Sequence, residues 1–115
     1  MHRIVHGFEV REFLRADGSS PFREWLDALP VAVRARISAR IARFEAGNLG
    51  DAKSLGEGVW EARFMFGPGH RLYFAIRGAR LVLLLLGGDK STQRSDIKQA
   101  KQLWREFLEV NNDET

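Results

Sequence analysis

Apolar residues alternate with polar ones over short stretches in the second half of the chain. Three strands are predicted there in series, over residues 59–66, 70–77 and 80–86, separated by glycine-containing turns. Connections this short join antiparallel neighbours, because parallel neighbours need a dozen or more connecting residues. The pattern therefore predicts an antiparallel meander.

Apolar residues at helical spacing predict three helices. The first begins after Ser20, whose hydroxyl is suited to capping, and ends at Pro30. The second covers residues 31–46 and stops at Gly47, and the third runs from about residue 93 to residue 110. Trp25 and Trp104 are expected to pack in the core, and they fall in the first and third helices.

A further strand is predicted before the helices, over residues 8–14, and residues 50–58 and 87–92 are expected to form loops. The predicted order is thus β-α-α-β-β-β-α. This order is typical of a small α+β fold in which helices pack on an antiparallel meander sheet. The length of 115 residues favours a single domain spanning residues 1–115.

Composition narrows the classes of function. The longest apolar run, residues 81–86, is too short to cross a membrane, and no signal peptide is recognisable, so a cytoplasmic protein is expected. Without cysteine there are no thiolate metal ligands, and the histidines fit no ligand spacing; no metal and no cofactor are expected. His70 is expected to have a structural role.

The net charge of +3 is unevenly distributed. Residues 53–105 hold ten Lys or Arg and four Asp or Glu, whereas residues 106–115 hold four acids and no base. A basic region of this kind favours a polyanionic partner, most commonly nucleic acid. An arginine-rich surface that contacts only solvent is the alternative interpretation.

In the two strands of the hairpin around Gly67-Pro68-Gly69, polar residues occur at alternate positions, which face the same side of a sheet. With Pro68 at the centre of the hairpin, Arg63 lies opposite Tyr73, and Met65 lies opposite Arg71. Glu61 has the same parity. Two arginines, a glutamate and the only tyrosine are therefore predicted on one face of the sheet, where cations beside a phenol suit a phosphate-bearing partner.

This set of residues is sufficient for RNA cleavage without a metal. A base removes the proton of a ribose 2'-hydroxyl, cations stabilise the charge at phosphorus, and an acid protonates the leaving oxygen. Glu61 is the candidate base, and Arg63 and Arg71 are candidates to bind the phosphate. Tyr73 and Lys90 are candidate proton donors. The alternative is an exposed Glu–Arg ion pair with Tyr73 packed over the sheet.

Other basic residues are candidates for RNA binding. Lys53 and Lys90 flank the strands in the loops before and after them, and Arg94 and Lys98 lie along one side of the last helix. Arginines also line one side of the second helix, where they are explained equally by solvent exposure, a protein contact or RNA; these are Arg36, Arg40 and Arg43.

Several short motifs follow one another over nearly the whole chain. They are Phe22-Arg23-Glu24-Trp25-Leu26, Gly47-Asn48-Leu49-Gly50-Asp51, Lys53-Ser54-Leu55, Trp60-Glu61-Ala62-Arg63, Gly67-Pro68-Gly69-His70-Arg71-Leu72-Tyr73-Phe74, Leu86-Gly87-Gly88-Asp89-Lys90-Ser91-Thr92-Gln93 and Asp96-Ile97-Lys98-Gln99-Ala100. In order and spacing they resemble the RelE/ParE superfamily of type II toxins, in the branch of addiction module killer proteins, which are phage-derived and Gp49-like or HigB-like.

The resemblance implies a toxin that cleaves messenger RNA on the ribosome, inhibits translation and is bound by a cognate antitoxin, typically a helix-turn-helix protein, in a hetero-oligomer. It matches Arg71, Arg63 and Lys90 to basic positions of the family. Several ribonuclease members carry tyrosine or histidine at the start of the last helix, where this chain has Asp96 and Ile97. A ParE-like inhibitor of DNA gyrase without nuclease activity, and a non-catalytic RNA-binding module, are the alternatives.

Overall fold

The computed structural model describes residues 7–111. The elements in this range are β1 (Glu9–Glu12), α1 (Pro21–Asp27), α2 (Val31–Glu45), β2 (Ala52–Gly56), β3 (Val59–Arg63), β4 (Arg71–Arg77), β5 (Leu81–Gly88) and α3 (Gln93–Val110). One turn of 3-10 helix, Lys90–Thr92, joins β5 to α3. Among the helices of residues 7–111, none combines the length and apolar composition that crossing a membrane requires.

The strands form one mixed sheet in the order β1-β5-β4-β3-β2. The predicted antiparallel meander is confirmed for β3, β4 and β5. The all-antiparallel description is wrong, because β1 pairs parallel with β5 at one edge. The small α+β fold is confirmed, with five strands and three α-helices among the described residues.

The predicted element order is wrong in one place. Residues 52–56, predicted as part of a loop, form β2, which pairs antiparallel with β3 at the other edge of the sheet. The segment contains no β-branched or aromatic residue and is largely exposed, so it lacks the alternation that identifies a half-buried strand. The observed order is β-α-α-β-β-β-β-α.

Helices cover both faces of the sheet. On one face, α1 and α2 pack against one set of strand residues through Phe22, Leu26, Ile37 and Phe44. On the other face, α3 packs through Ala100, Leu103 and Trp104. Because side chains alternate along each strand, Leu72 and Phe74 of β4 join the first cluster, whereas Tyr73 and Ala75 join the second.

The interior position of β5 in the sheet explains the apolar run of residues 81–86. The strand lies between β1 and β4 and has helices on both faces, so all six residues are buried. A strand enclosed in this way is apolar at every position rather than at alternate ones.

The predicted helix boundaries are largely confirmed. The Ser20 hydroxyl accepts a hydrogen bond from the Arg23 N–H at 3.0 Å, which caps α1 as expected. After α2, Gly47 adopts a positive φ of 90°, and the Asn48 N–H donates to the Arg43 carbonyl at 2.8 Å. The third helix covers Gln93–Val110.

The connection after β5 is more regular than the predicted flexible loop. The strand continues to Gly88, and the Asp89 carboxylate accepts a hydrogen bond from the Ser91 N–H at 2.8 Å. Hydrogen bonds from Ser91 lower the pKa of Asp89, so the group is ionised near neutral pH and caps the 3-10 turn. This turn fixes the positions of Lys90 and of the first residues of α3.

Candidate functional site

The hairpin between β3 and β4 sets the register of the site. Arg63 lies opposite Arg71 and Glu61 opposite Tyr73, so the predicted pairing of Arg63 with Tyr73 is wrong by two residues. The hairpin is centred on Gly67 rather than on Pro68, since the Phe64 N–H donates to the His70 carbonyl at 3.1 Å. A shift of two residues leaves each side chain on the predicted face of the sheet.

The predicted set therefore does lie on one face of the sheet, and it is the face covered by α3. Glu61 and Tyr73 have no exposed surface, whereas the side chains of Arg63 and Arg71 are 41% and 12% exposed. An RNA strand in solvent can reach the arginines and not the two buried groups.

Glu61 contacts both Arg71 and the first residue of α3. Its Oε2 accepts a hydrogen bond from Nε2 of Gln93, the first residue of α3, at 2.7 Å. The same oxygen lies 3.6 Å from Nε of Arg71, and Nη1 of Arg71 donates to the Gly69 carbonyl at 3.3 Å. A buried carboxylate is stable only when it is paired, and the Arg71 guanidinium supplies the opposite charge here, although its Nε forms no hydrogen bond with residues 7–111.

Tyr73 lies in the same buried region. Burial raises the pKa of its hydroxyl well above the ordinary value of 10.0, and the negative charges of Glu61 and Asp96 raise it further. The hydroxyl forms no hydrogen bond of ordinary length with residues 7–111, although a weaker interaction with the Glu61 carboxylate also contributes to the raised pKa. Tyr73 is therefore a neutral phenol behind Arg71.

Arg71 reaches the surface in a groove at the hairpin tip, which we call the tip groove. It is lined by residues 64–69 together with Arg71 and Lys90, and its volume is about 550 Å³. Lys90 is exposed, and its Cβ lies 3.3 Å from the position that a Cβ on Gly69 would occupy. Glycine at position 69 permits this approach because it has no Cβ, and its positive φ of 80° independently favours glycine. Two cations therefore line one small groove.

Arg63 has other partners. Its Nη2 is 3.0 Å from Oδ1 of Asp51, and its backbone carbonyl accepts a hydrogen bond from Arg40 at 2.9 Å. Arg63 is absent from the lining of the tip groove. Lys53 is exposed on β2, in register with Glu61.

The two candidates on α3 lie outside the tip groove. Arg94 and Lys98 are exposed and line a shallow depression with Ser91, Thr92 and Ser95. The structure thus brings together Arg71, Lys90, Glu61 and Tyr73, and leaves these two cations on a neighbouring surface.

Gln93 and Asp51 are the contacts that sequence reasoning missed. Gln93 was only the start of a predicted helix, and Asp51 was part of a motif. Gln93 donates a hydrogen bond to Glu61, which lies 32 positions earlier in the sequence. Asp51 accepts one from Arg63, which lies 12 positions later. Only the packing of α3 on the sheet and the course of β2 reveal these pairs.

The comparison with known proteins agrees with this architecture. The model of a family described as phage-derived Gp49-like proteins matches residues 24–105, which is more than half of the chain. The chain belongs to this Gp49-like family. A Haemophilus influenzae protein described as uncharacterized is 49% identical over 87 residues, which cover 75% of this chain and 88% of that protein.

Membership places the chain in a toxin-like family of the RelE and HigB type. It indicates the toxin of a toxin-antitoxin pair, and hence an antitoxin as partner. The tip groove, with Arg71 and Lys90, lies within the range that the Gp49-like model matches.

Proposed function

We propose that this Gp49-like protein is the toxin of a type II toxin-antitoxin module and that it cleaves messenger RNA on the ribosome in the cytoplasm, without a metal. The observation that carries the proposal is the pair of cations in the tip groove. Arg71 is held at its inner wall by Glu61, and Lys90 extends from its rim. A half-buried guanidinium beside an exposed ammonium suits a scissile phosphate.

In the proposed reaction, the 2'-oxygen of one ribose attacks the adjacent phosphorus as its proton passes to a water molecule, because the candidate base Glu61 has no exposed surface. The bond from phosphorus to the 5'-oxygen breaks, and that oxygen takes up a proton. The products are a 2',3'-cyclic phosphate and a 5'-hydroxyl. Arg71 stabilises the charge added at phosphorus, and Lys90 is the exposed group beside it that can protonate the leaving oxygen.

Burial changes the roles proposed for Glu61 and Tyr73. Since neither has exposed surface, neither reaches a ribose hydroxyl in this conformation. We assign Glu61 to positioning Arg71, and Tyr73 to closing the space behind the ion pair. Arg63 is paired with Asp51 and lies outside the lining of the groove, so we assign it no direct contact with the scissile phosphate.

The exposed cations around the groove are proposed to attract RNA before it binds. Lys53, Arg94 and Lys98 are exposed, and each adds a positive charge to the surface around the sheet or on α3. Contacts of this kind act on phosphate without reading the base sequence, so they contribute affinity rather than codon preference.

The antitoxin is proposed to block the tip groove. Because α3 already covers the sheet face behind Arg71, an acidic segment can neutralise the site by covering Arg71 and Lys90 without displacing a helix. A helix-turn-helix antitoxin in a hetero-oligomer with the toxin fits the resemblance of the sequence. A complex that leaves both cations fully accessible would contradict this arrangement.

Primer extension tests the proposed activity. The protein is induced alone in cells that carry a reporter transcript, beside Arg71→Ala and Arg80→Ala. Arg80 is an exposed arginine at the opposite end of the β4–β5 hairpin, so its loss removes the same charge away from the groove. We expect cuts within translated codons for the parent and for Arg80→Ala, and none for Arg71→Ala. The new 5' ends should accept phosphate from polynucleotide kinase without prior dephosphorylation.

Two results would contradict the proposal. Growth arrest without new RNA ends would favour a protein target such as DNA gyrase. RNA binding without cut products would favour a non-catalytic RNA-binding module.

A further inference from the structure

A second groove adjoins the tip groove on the other side of the hairpin. We call it the arginine groove. It is formed by one side of α2 and residues 64–66 of the hairpin, and its volume is about 330 Å³. Phe64, Met65 and Phe66 line both grooves and separate one from the other. The two grooves are therefore neighbours that share residues 64–66 of the hairpin.

The charge of the arginine groove has one sign. Arg36, Arg40 and Arg43 line it, and no acidic side chain among residues 7–111 does so. Within these residues, no hydrogen bond or ion pair involves the side chain of Arg36 or Arg43. Two arginines in one groove thus retain their donors for a ligand.

Aromatic residues hold two of these arginines by their faces. The Arg36 guanidinium carbon lies 3.8 Å from the centre of the Phe66 ring, and that of Arg40 lies 4.5 Å from the centre of the Phe64 ring. Stacking occupies the face of a guanidinium and leaves the N–H groups at its edge. Arg36 is therefore held against Phe66 by a contact that does not neutralise its charge.

Arg40 has a different part in the groove. It donates to the Arg63 carbonyl at 2.9 Å and is half-buried, and this burial is the main cause that lowers its pKa. The contact ties α2 to the end of β3. Arg40 fixes the distance between the two grooves, while Arg36 and Arg43 are left to bind.

The ridge between the grooves is apolar. The Met65 side chain is 84% exposed, and Phe66 beside it is half-buried. Apolar Met65 and the partly exposed ring of Phe66, between two cationic grooves, match a nucleotide chain, whose bases stack on aromatic side chains while its phosphates bind to arginine. An acidic peptide fits this surface less well, because it supplies negative charge but no planar base that can stack.

We propose that the arginine groove binds the single-stranded RNA that flanks the scissile phosphate. Arg36 and Arg43 bind a neighbouring phosphate, and Met65 supports the base between the two phosphates. The inference rests on the proposed function for the direction of the RNA, because the strand continues from the tip groove. It adds a substrate-binding subsite on α2 that the cleavage chemistry does not itself require.

The test uses a short fluorescein-labelled single-stranded RNA with a 2'-O-methyl group on every ribose. The toxin cannot cut this probe, so affinity is measured apart from cleavage. Fluorescence anisotropy is recorded over a series of salt concentrations for the parent, Arg36→Ala, Arg43→Ala, Met65→Ala and the control Arg80→Ala. Circular dichroism and thermal unfolding confirm that the variants are folded.

Arg36→Ala and Arg43→Ala are each expected to weaken binding by about tenfold, the effect of roughly 1.4 kcal/mol. Each should also reduce the slope of log affinity against log salt by about 0.7, the value for one lost phosphate contact on a single strand. Met65→Ala should weaken binding without changing the slope, since it removes a base contact. Arg80→Ala should resemble the parent.

The subsite is overturned if the parent does not bind the probe, or if Arg36→Ala and Arg43→Ala bind it as Arg80→Ala does. It is also overturned if both variants bind RNA normally and lose the antitoxin, since the groove would then be a protein interface. Cleavage is scored separately through Arg71→Ala. If the parent cuts RNA and Arg36→Ala and Arg43→Ala bind the probe as the parent does, the subsite alone is rejected. If these variants lose binding and the parent never cuts RNA, the nuclease activity alone is rejected.

Discussion

At the residue scale, the site depends on one carboxylate with no contact to solvent. Glu61 is completely buried, and such a group is costly unless hydrogen bonds and an opposite charge compensate it. Gln93 and Arg71 supply that compensation through one oxygen, while Oε1 of Glu61 has no partner among residues 7–111. The position of Arg71 therefore depends on the packing of α3.

Glu61→Gln tests this dependence. The substitution keeps the shape and removes the charge that orients Arg71, so the guanidinium should lose its fixed direction. We expect kcat to fall by up to about 100-fold, the scale of a misplacement of about 1 Å, while KM changes little. Single-turnover cleavage of ribosome-bound messenger RNA separates the two parameters. If KM rises and kcat is kept, Glu61 contributes to binding and not to positioning.

Tyr73 provides a spectroscopic test of the same region, because it is the only tyrosine in the chain. Its pKa is raised in the fold, so the stability it contributes is full below the unfolded value of 10.0 and is lost as the pH rises toward the folded-state value. The tyrosinate absorbance should appear only well above pH 10. Tyr73→Phe should reduce the alkaline loss of stability. A normal titration near pH 10 would show that Tyr73 is accessible to solvent.

Strand parity predicted which residues share the face of the site, and it predicted neither their register nor their burial. The five-residue loop of the hairpin can be centred on Gly67 or Pro68, and both choices preserve parity. Polar residues at alternate positions usually face solvent, so Glu61 and Tyr73 were expected on an open surface. Only the docking of α3 through Gln93 buries them.

At the element scale, α1 packs closely on β5. A Cβ on Gly87 would overlap the Trp25 ring, although the φ of Gly87 lies outside the left-handed region and permits alanine. The glycine is required because the indole packs directly on the strand. Trp25 also lies 6.5 Å from the His70 ring, which links α1 to the base of the hairpin.

Gly87→Ala should destabilise the protein by about 1–3 kcal/mol, the usual cost of overpacking. Trp25→Ala removes the ring that the new methyl group meets, so the double variant should be more stable than the sum of the two single effects predicts. Urea unfolding of the four proteins completes the cycle. Strict additivity would show that the indole does not pack on Gly87.

The helices were predictable from sequence, and one strand was not. Ser20, Pro30 and Gly47 are local signals, so the first two helices were placed correctly. β2 has no such signal, because residues 52–56 form a short edge strand that depends on its pairing with β3. Edge strands of this kind are recognised only through their partner.

At the scale of the whole molecule, helices on both faces leave the hairpin tip as the exposed part of the sheet near Arg71. The basic segment of residues 53–105 contains this tip and the start of α3, with Arg71 and Lys90 in one groove. The second groove, on α2, extends the positive surface to Arg36 and Arg43. The fold therefore presents two cationic grooves on either side of apolar residues 64–66, and we propose that a nucleic acid spans both.

Cleavage by purified protein tests the central claim most directly. Parent, Arg71→Ala and Arg80→Ala are added to a reporter messenger RNA, either alone or on translating ribosomes. We predict cuts with 5'-hydroxyl ends on the ribosome-bound message for the parent and Arg80→Ala, and at least a 100-fold slower reaction for Arg71→Ala, about the loss expected when one stabilising donor is removed. Equal cleavage by Arg71→Ala, or no cleavage by a parent that still arrests growth, would contradict the account.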